Sequence, residues 1–188
     1  MLVENCLEII GASLGLTGFA FGLWQYYEAQ KWKKAEFAAG LLLKLKADPA
    51  LSACCKILDW SSREIQIPEH LRISDKEFAF EHNPALLTSG MKPETEKHSF
   101  NRSEELYRDL FDEFFTYLEE VNHFIDIGLI EQGQVSALKY WLEELAAPRF
   151  VSGSVFNAFI KHYGYKGVIR LMQKFGVSFS HNLGSGGG

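Results

Sequence analysis

The residues whose types and spacing could do chemistry are concentrated near the C-terminus. There, cationic side chains alternate with aromatic rings and glycines. Cations neutralise phosphates and aromatic rings stack on bases, so this mixture favours a nucleotide or a single-stranded nucleic acid as ligand. Steps of four place three of the cations on one helical face. The predicted ligand-binding set is Lys161, His162, Tyr163, Tyr165, Lys166, Arg170 and Lys174.

The sequence leaves open two further roles for this basic segment. Residues 102–145 carry eleven acidic and three basic side chains, whereas residues 148–188 carry five basic side chains and no acidic one. The basic segment can therefore pair with the acidic helix, within one chain or between subunits, or it can lie against anionic lipid headgroups. Gly164 and Gly167 favour a ligand, because a glycine allows close approach to the backbone.

The remaining polar motifs do not indicate catalysis. Glu120 and His123 form a Glu-x-x-His pair, with Glu119 and Asp126 nearby, but a di-iron carboxylate bundle needs that pair twice. A solvated acidic face is the ordinary interpretation of these residues. The sequence has no nucleophile motif and no phosphate loop, so we predict no catalytic residue, no metal and no cofactor. The adjacent cysteines at 54 and 55 are interpreted as reduced core residues.

The N-terminal segment is the element that would hold these residues at a membrane. Residues 9–27 are nineteen consecutive positions without a formal charge, close to the ~20 needed to cross a bilayer as a helix. A cleaved signal peptide is the competing interpretation, but it needs basic residues before the apolar run, and this N-terminus has Glu4 and Glu8 instead. We therefore predict a transmembrane helix within an anchor of residues 1–30.

The residues that follow this apolar segment set its orientation. Basic residues mark the cytoplasmic side of a span, and aromatic residues collect at the membrane interface. We therefore expect the N-terminus outside the cell and the rest of the chain in the cytoplasm. The aromatic belt and the basic cluster after it consist of Trp24, Tyr26, Tyr27, Lys31, Lys33 and Lys34.

A stripe of glycines runs along one face of the predicted span. Small residues at steps of three and four let helix backbones approach in lipid, so we expect homo-oligomerisation through this face. In a ring of copies, the two glutamates would form an acidic mouth, the glycines a narrow lumen and the glutamine an inner polar ring of a cation pathway. The alternative is a glycine face buried in helix contacts, with both glutamates solvated. The face consists of Glu4, Glu8, Gly11, Gly15, Gly18, Gly22 and Gln25.

The rest of the chain predicts a mainly α fold, in which the N-terminal helix continues into an antiparallel helical domain of residues 31–176. Asp48 followed by Pro49 ends the first helix and caps the next, and Asn101 with Glu104 suggests a capping box. Short extended segments are expected between residues 62 and 82, a mobile loop over 88–100 and a flexible tail over 177–188, part of it a linker. The predicted helices after the first cover residues 49–60, 101–127, 132–145, 154–163 and 165–175.

Three sequence stretches carry a resemblance: WQYYEAQKWKKAEFAAGLLLKL after the apolar segment, LFDEFFTYLEEVNHFIDIGLIEQGQV on the long helix, and ALKYWLEEL. In this order they resemble an uncharacterised bacterial family of short, single-pass, membrane-anchored helical proteins. Residues 62–100 depart from that pattern. The chain is also similar to small pore-type membrane effectors of anti-phage defence, such as the effector of the Hailong system. That resemblance implies a bacterial inner-membrane location, a pore in the anchor and a nucleic-acid-like ligand on the domain.

These observations lead to two functional hypotheses. The first is a homo-oligomeric membrane effector whose glycine-striped spans form or gate an ion pathway under control of an anionic ligand. The second is a membrane-anchored scaffold that recruits a cytoplasmic partner protein through the helical domain. The first requires the glycine face, whereas the second tolerates replacement of the anchor by an unrelated span.

Overall fold

The computed structural model describes the backbone of residues 2–179 and the side chains of residues 14–179. The described chain is mainly helical, which confirms the predicted fold class at that level. Two short strands, β1 (Glu64–Gln66) and β2 (Ala79–Glu81), form an antiparallel hairpin. The helices are α1 (Leu2–Ala47), α2 (Pro49–Asp59), α3 (Pro84–Gly90), α4 (Arg102–Asp126), α5 (Leu138–Ala146), α6 (Gly153–Tyr163) and α7 (Lys166–Lys174).

α1 is one unbroken helix, so the prediction that the N-terminal helix continues into the domain is confirmed. It ends where the sequence predicts. Asp48 Oδ1 accepts hydrogen bonds from the amides of Ala50 at 2.9 Å and Leu51 at 3.2 Å, and Pro49 occupies the first turn of α2. A carboxylate at this position satisfies amides that have no partner inside the helix, so α2 starts immediately after α1 ends.

Only the C-terminal part of α1 belongs to the described core. Ala38, Leu41 and Leu45 are buried on one face of the helix, whereas residues 14–27 are exposed. Tyr117 on α4 donates a hydrogen bond to the carbonyl oxygen of Leu41 at 2.9 Å, which fixes α1 against α4. The domain thus holds the last turns of a helix whose earlier turns project away from it.

α4 is the central element of the domain and packs against α2, α3 and α7. Its capping box is present as predicted: Asn101 Oδ1 accepts from the amide of Glu104, and Glu104 Oε2 accepts from the amide of Asn101. Leu110, Phe114 and Leu118, which recur at steps of four along one face of the helix, are fully buried. A second row of aromatic residues is buried too, so α4 is covered on more than that one face. That row consists of Tyr107, Phe111 and Phe115.

The middle of the chain both confirms and extends the sequence prediction. The expected extended segments pair as β1 and β2, with Ile65 opposite Phe80. The expected loop at 88–100 overlaps α3, which the sequence prediction missed. Asn83 Oδ1 caps α3 by accepting from the amide of Ala85 at 2.9 Å, and Pro84 begins the helix. The predicted helix at 132–145 is divided into a 3-10 helix, Gln132–Val135, and α5.

Candidate functional site

The part of α1 that projects from the domain carries no charged residue and is mostly apolar. Residues 14–27, called the apolar arm from here on, are exposed around the whole helix. Leu16 is 74% exposed and Phe19 is 69% exposed. Large apolar side chains that face water are energetically unfavourable, so such a surface marks a site of interaction. The arm is therefore one of two candidate functional surfaces.

The glycine stripe lies along this arm. A Cβ atom added at Gly15, Gly18 or Gly22 would meet nothing within 4 Å, so the face they form is open. Gln25, which extends the stripe toward the domain, is exposed as well. The side chains of Glu4 and Glu8, and the position of Gly11 on that face, lie outside the residues whose side chains the structure describes.

Among the described residues, no helix combines the length and the apolarity required to cross a membrane.

The second candidate surface is formed by the basic segment on α6 and α7. Gly164, with a positive φ of 80°, ends α6 and turns the chain, because this backbone conformation is easy only for glycine. α7 then packs along α4. The turn therefore brings the basic segment directly onto the acidic helix, and the seven predicted ligand residues fall into two groups.

The first group has partners within the chain, beginning with Lys174. Its Nζ donates to Asp126 Oδ1 at 2.5 Å and to Asn122 Oδ1 at 2.7 Å. The hydrogen bond from Lys174 holds the pKa of the Asp126 carboxyl below its usual range. Pairing with the acidic helix, one of the roles that the sequence leaves open, is confirmed for this residue.

The two tyrosines of the segment also have partners on α4. The guanidinium of Arg108 donates to the hydroxyl of Tyr163 and lies 5.3 Å from the centre of its ring. The hydroxyl of Tyr165 donates to Asp112, and burial together with this carboxylate raises the pKa of Tyr165. Both rings are therefore held against the domain rather than pointing freely into solvent.

The backbone of α7 has its own partner on α4. Glu119 Oε1 accepts hydrogen bonds from the amide of Gly167 at 2.5 Å and from the amide of Val168 at 3.1 Å. A Cβ at Gly167 would lie 2.8 Å from the Glu119 carboxylate. The close approach that Gly167 permits is thus taken by a carboxylate of the same chain, which caps the positive end of α7.

The second group of predicted residues is exposed and carries no ion pair to any residue that the structure describes. It consists of Lys161, His162, Lys166 and Arg170. Arg170 is near enough to Asp126 to help lower the pKa of that carboxyl. Lys161 lines a groove of about 300 Å³ between α6 and α7, together with Asn157 and Gln173. Lys161, Lys166 and Arg170 are therefore the cations of the segment that remain available to an anion.

The acidic residues considered for a metal are occupied by separate partners. Glu119 caps α7, Lys44 Nζ donates to Glu120 Oε2 at 2.8 Å, and Asp126 pairs with Lys174 as described above. The ring of His123 lies 5.9 Å from that of Phe124. Within the described residues, histidine, cysteine and carboxylate side chains form no group of three or more that could hold a metal ion.

Arg108 is a residue that the sequence analysis overlooked. Its guanidinium donates to the carbonyl oxygens of Gly90 at 2.8 Å and Lys92 at 2.9 Å, and it stacks 4.1 Å from the centre of the Phe100 ring. It therefore joins the loop after α3 to α4 and to Tyr163. One signal was available: few basic side chains lie within the acidic stretch 102–145, and Arg108 stands among its carboxylates.

No protein-family model, curated protein or solved structure gives a significant match to this chain.

Proposed function

We propose that this chain is a bacterial single-pass membrane effector that assembles into a homo-oligomer and forms or gates an ion pathway. The cytoplasmic helical domain binds an anionic ligand, a nucleotide or oligonucleotide, that controls the pathway, and anti-phage defence is a role that fits such a device. The observation that carries the proposal is the apolar arm, which is exposed on every side of α1 while the domain that follows has a closed core.

The membrane is the environment that suits the arm. Its large apolar side chains would cost free energy in water at roughly 25 cal/mol for each Å². Residues 9–13, which directly precede the arm, also carry no formal charge, so the uncharged segment covers residues 9–27. Trp24 and Tyr27 are exposed at the end that faces the domain, and Lys33 is exposed beyond them. This order of apolar, aromatic and basic residues supports a cytoplasmic domain.

Self-association is supported by the glycine face. Side chains from a second copy could pack directly on the backbone at Gly15, Gly18 and Gly22, because nothing in the chain occupies that space. When several copies pack in this way, Gln25 lies at the inner end of the face and Glu4 and Glu8 at the outer end. Rings of carboxylate side chains favour cations in channel pores, so this arrangement supports a cation pathway.

The ligand is supported by the exposed cations. Lys166 and Arg170 lie one helical turn apart on α7, and Lys161 lies at the edge of the groove between α6 and α7. Exposed cations that make no ion pair within the described chain attract phosphate groups. Tyr163 and Tyr165, which the sequence analysis assigned to base stacking, contact α4. The proposed ligand is therefore recognised mainly through its phosphate groups.

The test of the assembly uses the full chain in detergent and in vesicles. Gly15→Leu and Gly18→Leu add a side chain to the glycine face, and the open space around these positions means that the single chain tolerates it. Ala20→Leu makes a similar addition on the opposite face and is the matched control. We expect the glycine variants to reduce oligomer mass in mass photometry and ion flux from vesicles, and the control to keep both. Unchanged mass and flux in the glycine variants would reject the proposal.

The test of the ligand uses the protein as purified. Absorbance at 260 nm detects a co-purified nucleotide or nucleic acid, and binding of a fluorescent oligonucleotide is then measured directly. We expect Lys166→Gln with Arg170→Gln to weaken binding and to flatten its dependence on salt, because each neutralised phosphate releases counterions. An affinity that does not change with these substitutions would remove the ligand from the proposal.

A scaffold is the second candidate, and one observation favours it. Large apolar side chains are exposed around the β1–β2 hairpin, at Trp60, Ile73 and Phe78. Such a surface suits a partner protein. A scaffold would keep its function when residues 9–27 are replaced by an unrelated span, whereas the assembly proposed above would lose it.

A further inference from the structure

α4 and α1 run in opposite directions, which decides what lies at the end of the domain nearest the apolar arm. Lys44 contacts Glu120, with 2.8 Å between Nζ and Oε2, and the Phe37 ring lies 5.0 Å from the Phe124 ring. Phe37 is closer to the arm than Lys44, and its partner Phe124 is later in α4 than Glu120, the partner of Lys44. The C-terminal end of α4 therefore points along α1 toward the arm.

The loop that follows α4 presents two large apolar side chains at this end. Residues 127–131 are called the proximal loop from here on. Ile127 is 59% exposed and Leu129 is 38% exposed, on either side of Gly128 with its positive φ of 72°. Ile130 is buried, and its amide donates to the carbonyl oxygen of Phe124 at 3.3 Å. The loop is thus fixed to the domain while its apolar side chains face outward.

The proximal loop stands beside the stretch of α1 that directly follows the arm. Glu131 lines the same groove, of about 430 Å³, as Lys31, Trp32 and Lys34. Trp32 is five residues after Tyr27, which corresponds to roughly 7 Å along a helix. The headgroup layer on each side of a bilayer has about that thickness. The loop is therefore level with the depth at which headgroups would surround α1.

We propose that the proximal loop inserts into the cytoplasmic surface of an anionic bilayer, as a second membrane contact beside the arm. This inference rests on the proposed anchor. Ile127 and Leu129 enter the boundary between headgroups and acyl chains, the depth at which exposed apolar side chains of interfacial segments are buried. Lys33 and Lys34 carry no ion pair to a described residue and face the anionic headgroups, while Glu131, the one acidic residue of the loop, lines the groove beside Lys34. Two contacts would fix the orientation of the domain on the membrane.

The experiment measures the membrane depth of single labelled positions in the full chain. A fluorophore on Ile127→Cys is compared with one on Ile73→Cys, an exposed position in the hairpin region at the other end of the domain. Cys6→Ser removes the cysteine of the N-terminal segment. Cys54 is buried and burial raises its pKa, and burial also raises the pKa of Cys55 to about 12, so both react slowly with the label at neutral pH.

Vesicles of phosphatidylcholine and phosphatidylglycerol, with brominated acyl chains, quench a fluorophore that reaches the bilayer. We expect at least a twofold loss of fluorescence at position 127 and little change at position 73. Equal quenching at the two positions would overturn the inference. A smaller loss at position 127 in vesicles without phosphatidylglycerol supports the role of the lysines, and an equal loss contradicts that role.

A third label separates this inference from the proposed anchor. Leu16→Cys places the fluorophore in the arm, where a span predicts strong quenching. Quenching at position 16 without quenching at 127 rejects the proximal contact and leaves the anchor intact. Quenching at 127 without quenching at 16 supports the surface contact and rejects the span. Absence of quenching at both positions rejects both proposals.

Discussion

The carboxylate of Glu119 caps the helix that begins beside Gly167, at 2.5 Å from the Gly167 amide to Glu119 Oε1. The two residues lie on α4 and α7, and each constrains the other. The carboxylate needs to reach the first turn of α7, and a side chain larger than hydrogen at position 167 would lie 2.8 Å from it. The pair therefore fixes how the basic segment docks on the acidic helix.

The first prediction is that Gly167→Ala lowers the free energy of unfolding in the wild-type chain but does not lower it when Glu119 is also replaced. In the wild-type chain, the added Cβ displaces the flexible carboxylate from its capping position, and we expect a loss in the free energy of unfolding of at most the ~0.5–2 kcal/mol that the cap contributes. Glu119→Ala alone removes the cap and costs ~0.5–2 kcal/mol. In the double variant the clash is gone, so alanine at 167 is neutral or stabilises by up to ~1 kcal/mol. Urea unfolding in detergent measures all three.

A matched control comes from another helical glycine. Gly40 lies on the exposed side of α1, and a Cβ there would meet nothing within 4 Å. Gly40→Ala is expected to stabilise the chain by ~0.5–1 kcal/mol, because only backbone entropy changes. Strictly additive effects of the Glu119 and Gly167 substitutions would contradict the cap.

The second prediction divides the cations of the basic segment by role. Lys174→Gln removes the partner of Asp126 and of the buried Asn122. The buried Asn122 side chain loses a hydrogen-bond partner, so we expect a loss of about 1–2 kcal/mol in the free energy of unfolding. The pKa of Asp126 should rise, since Lys174 is the main cause of its low value. Carbon-13 NMR of the carboxyl group measures that pKa.

Lys166→Gln is the control for this division, because Lys166 is exposed and has no ion pair with a described residue. It should leave the free energy of unfolding unchanged within about 0.5 kcal/mol. A loss of stability at Lys166 equal to that at Lys174 would contradict the assignment of one cation to folding and the other to ligand binding.

Local signals account for most of what the sequence predicted correctly. Asp48 before Pro49, Asn101 with Glu104, and Gly164 each act within a few residues of the boundary they set, so they can be recognised without knowing the tertiary structure. The same kind of signal stands at Asn83 before Pro84. It was missed because α3 is only seven residues long and shows little apolar periodicity.

Contacts between distant segments could not be predicted residue by residue. Glu119 is 48 residues from Gly167, and Arg108 is 55 residues from Tyr163. The opposite charges of the two segments predicted that they attract each other. The charges alone could not show which cations stay free of an ion pair, because this depends on the rotation of α7 about its axis. The burial of the apolar side chains of Val168 and Leu171 sets that rotation.

The third prediction concerns acid stability at the end of the domain opposite the arm. Burial opposes ionisation of Glu104, but hydrogen bonds from Lys97, Ser89 and Asn101 lower its pKa to about 2. The hydrogen bond from Arg102 lowers the pKa of Glu77 to about 2 as well. Both pKa values lie below the value of 4.5 for an unperturbed glutamate, so the unfolded chain binds more protons at acid pH. The stabilisation that comes from these two lowered pKa values is therefore fully present above about pH 5, and it is lost as the pH falls toward 2.

Lys97→Gln tests this pH dependence, since Lys97 Nζ lies 2.6 Å from Glu104 Oε1. The variant should unfold more easily than the wild type at pH 7 and should lose less further stability between pH 5 and pH 2. Lys92→Gln, an exposed neighbour in the same loop, should keep the wild-type curve. Chemical unfolding at each pH gives the comparison, and parallel curves for Lys97→Gln and the wild type would contradict the role of this pair.

The fourth prediction concerns a buried polar contact between the hairpin and α4. The Tyr107 hydroxyl is 2.7 Å from His82 Nδ1 and accepts a hydrogen bond from the Asn83 amide at 2.8 Å. Tyr107→Phe leaves the buried His82 ring and the partly buried Asn83 amide without this partner, so we expect a loss of about 1–3 kcal/mol in the free energy of unfolding. Tyr140→Phe, which removes an exposed hydroxyl bonded to Asp59, should cost less. An equal loss for the two variants would contradict the importance of burial.

The same contact predicts a pH dependence in the range that a cell experiences. Burial lowers the pKa of His82 below 6.5, so the folded chain keeps this imidazole neutral where the unfolded chain already binds a proton. Stability should therefore fall as the pH decreases from about 6.5 toward the lower folded-state pKa. NMR titration of the His82 ring measures that pKa directly. A folded-state value at or above 6.5 would mean that the imidazole is not desolvated, and the contact with Tyr107 would then have to open to solvent in the native protein.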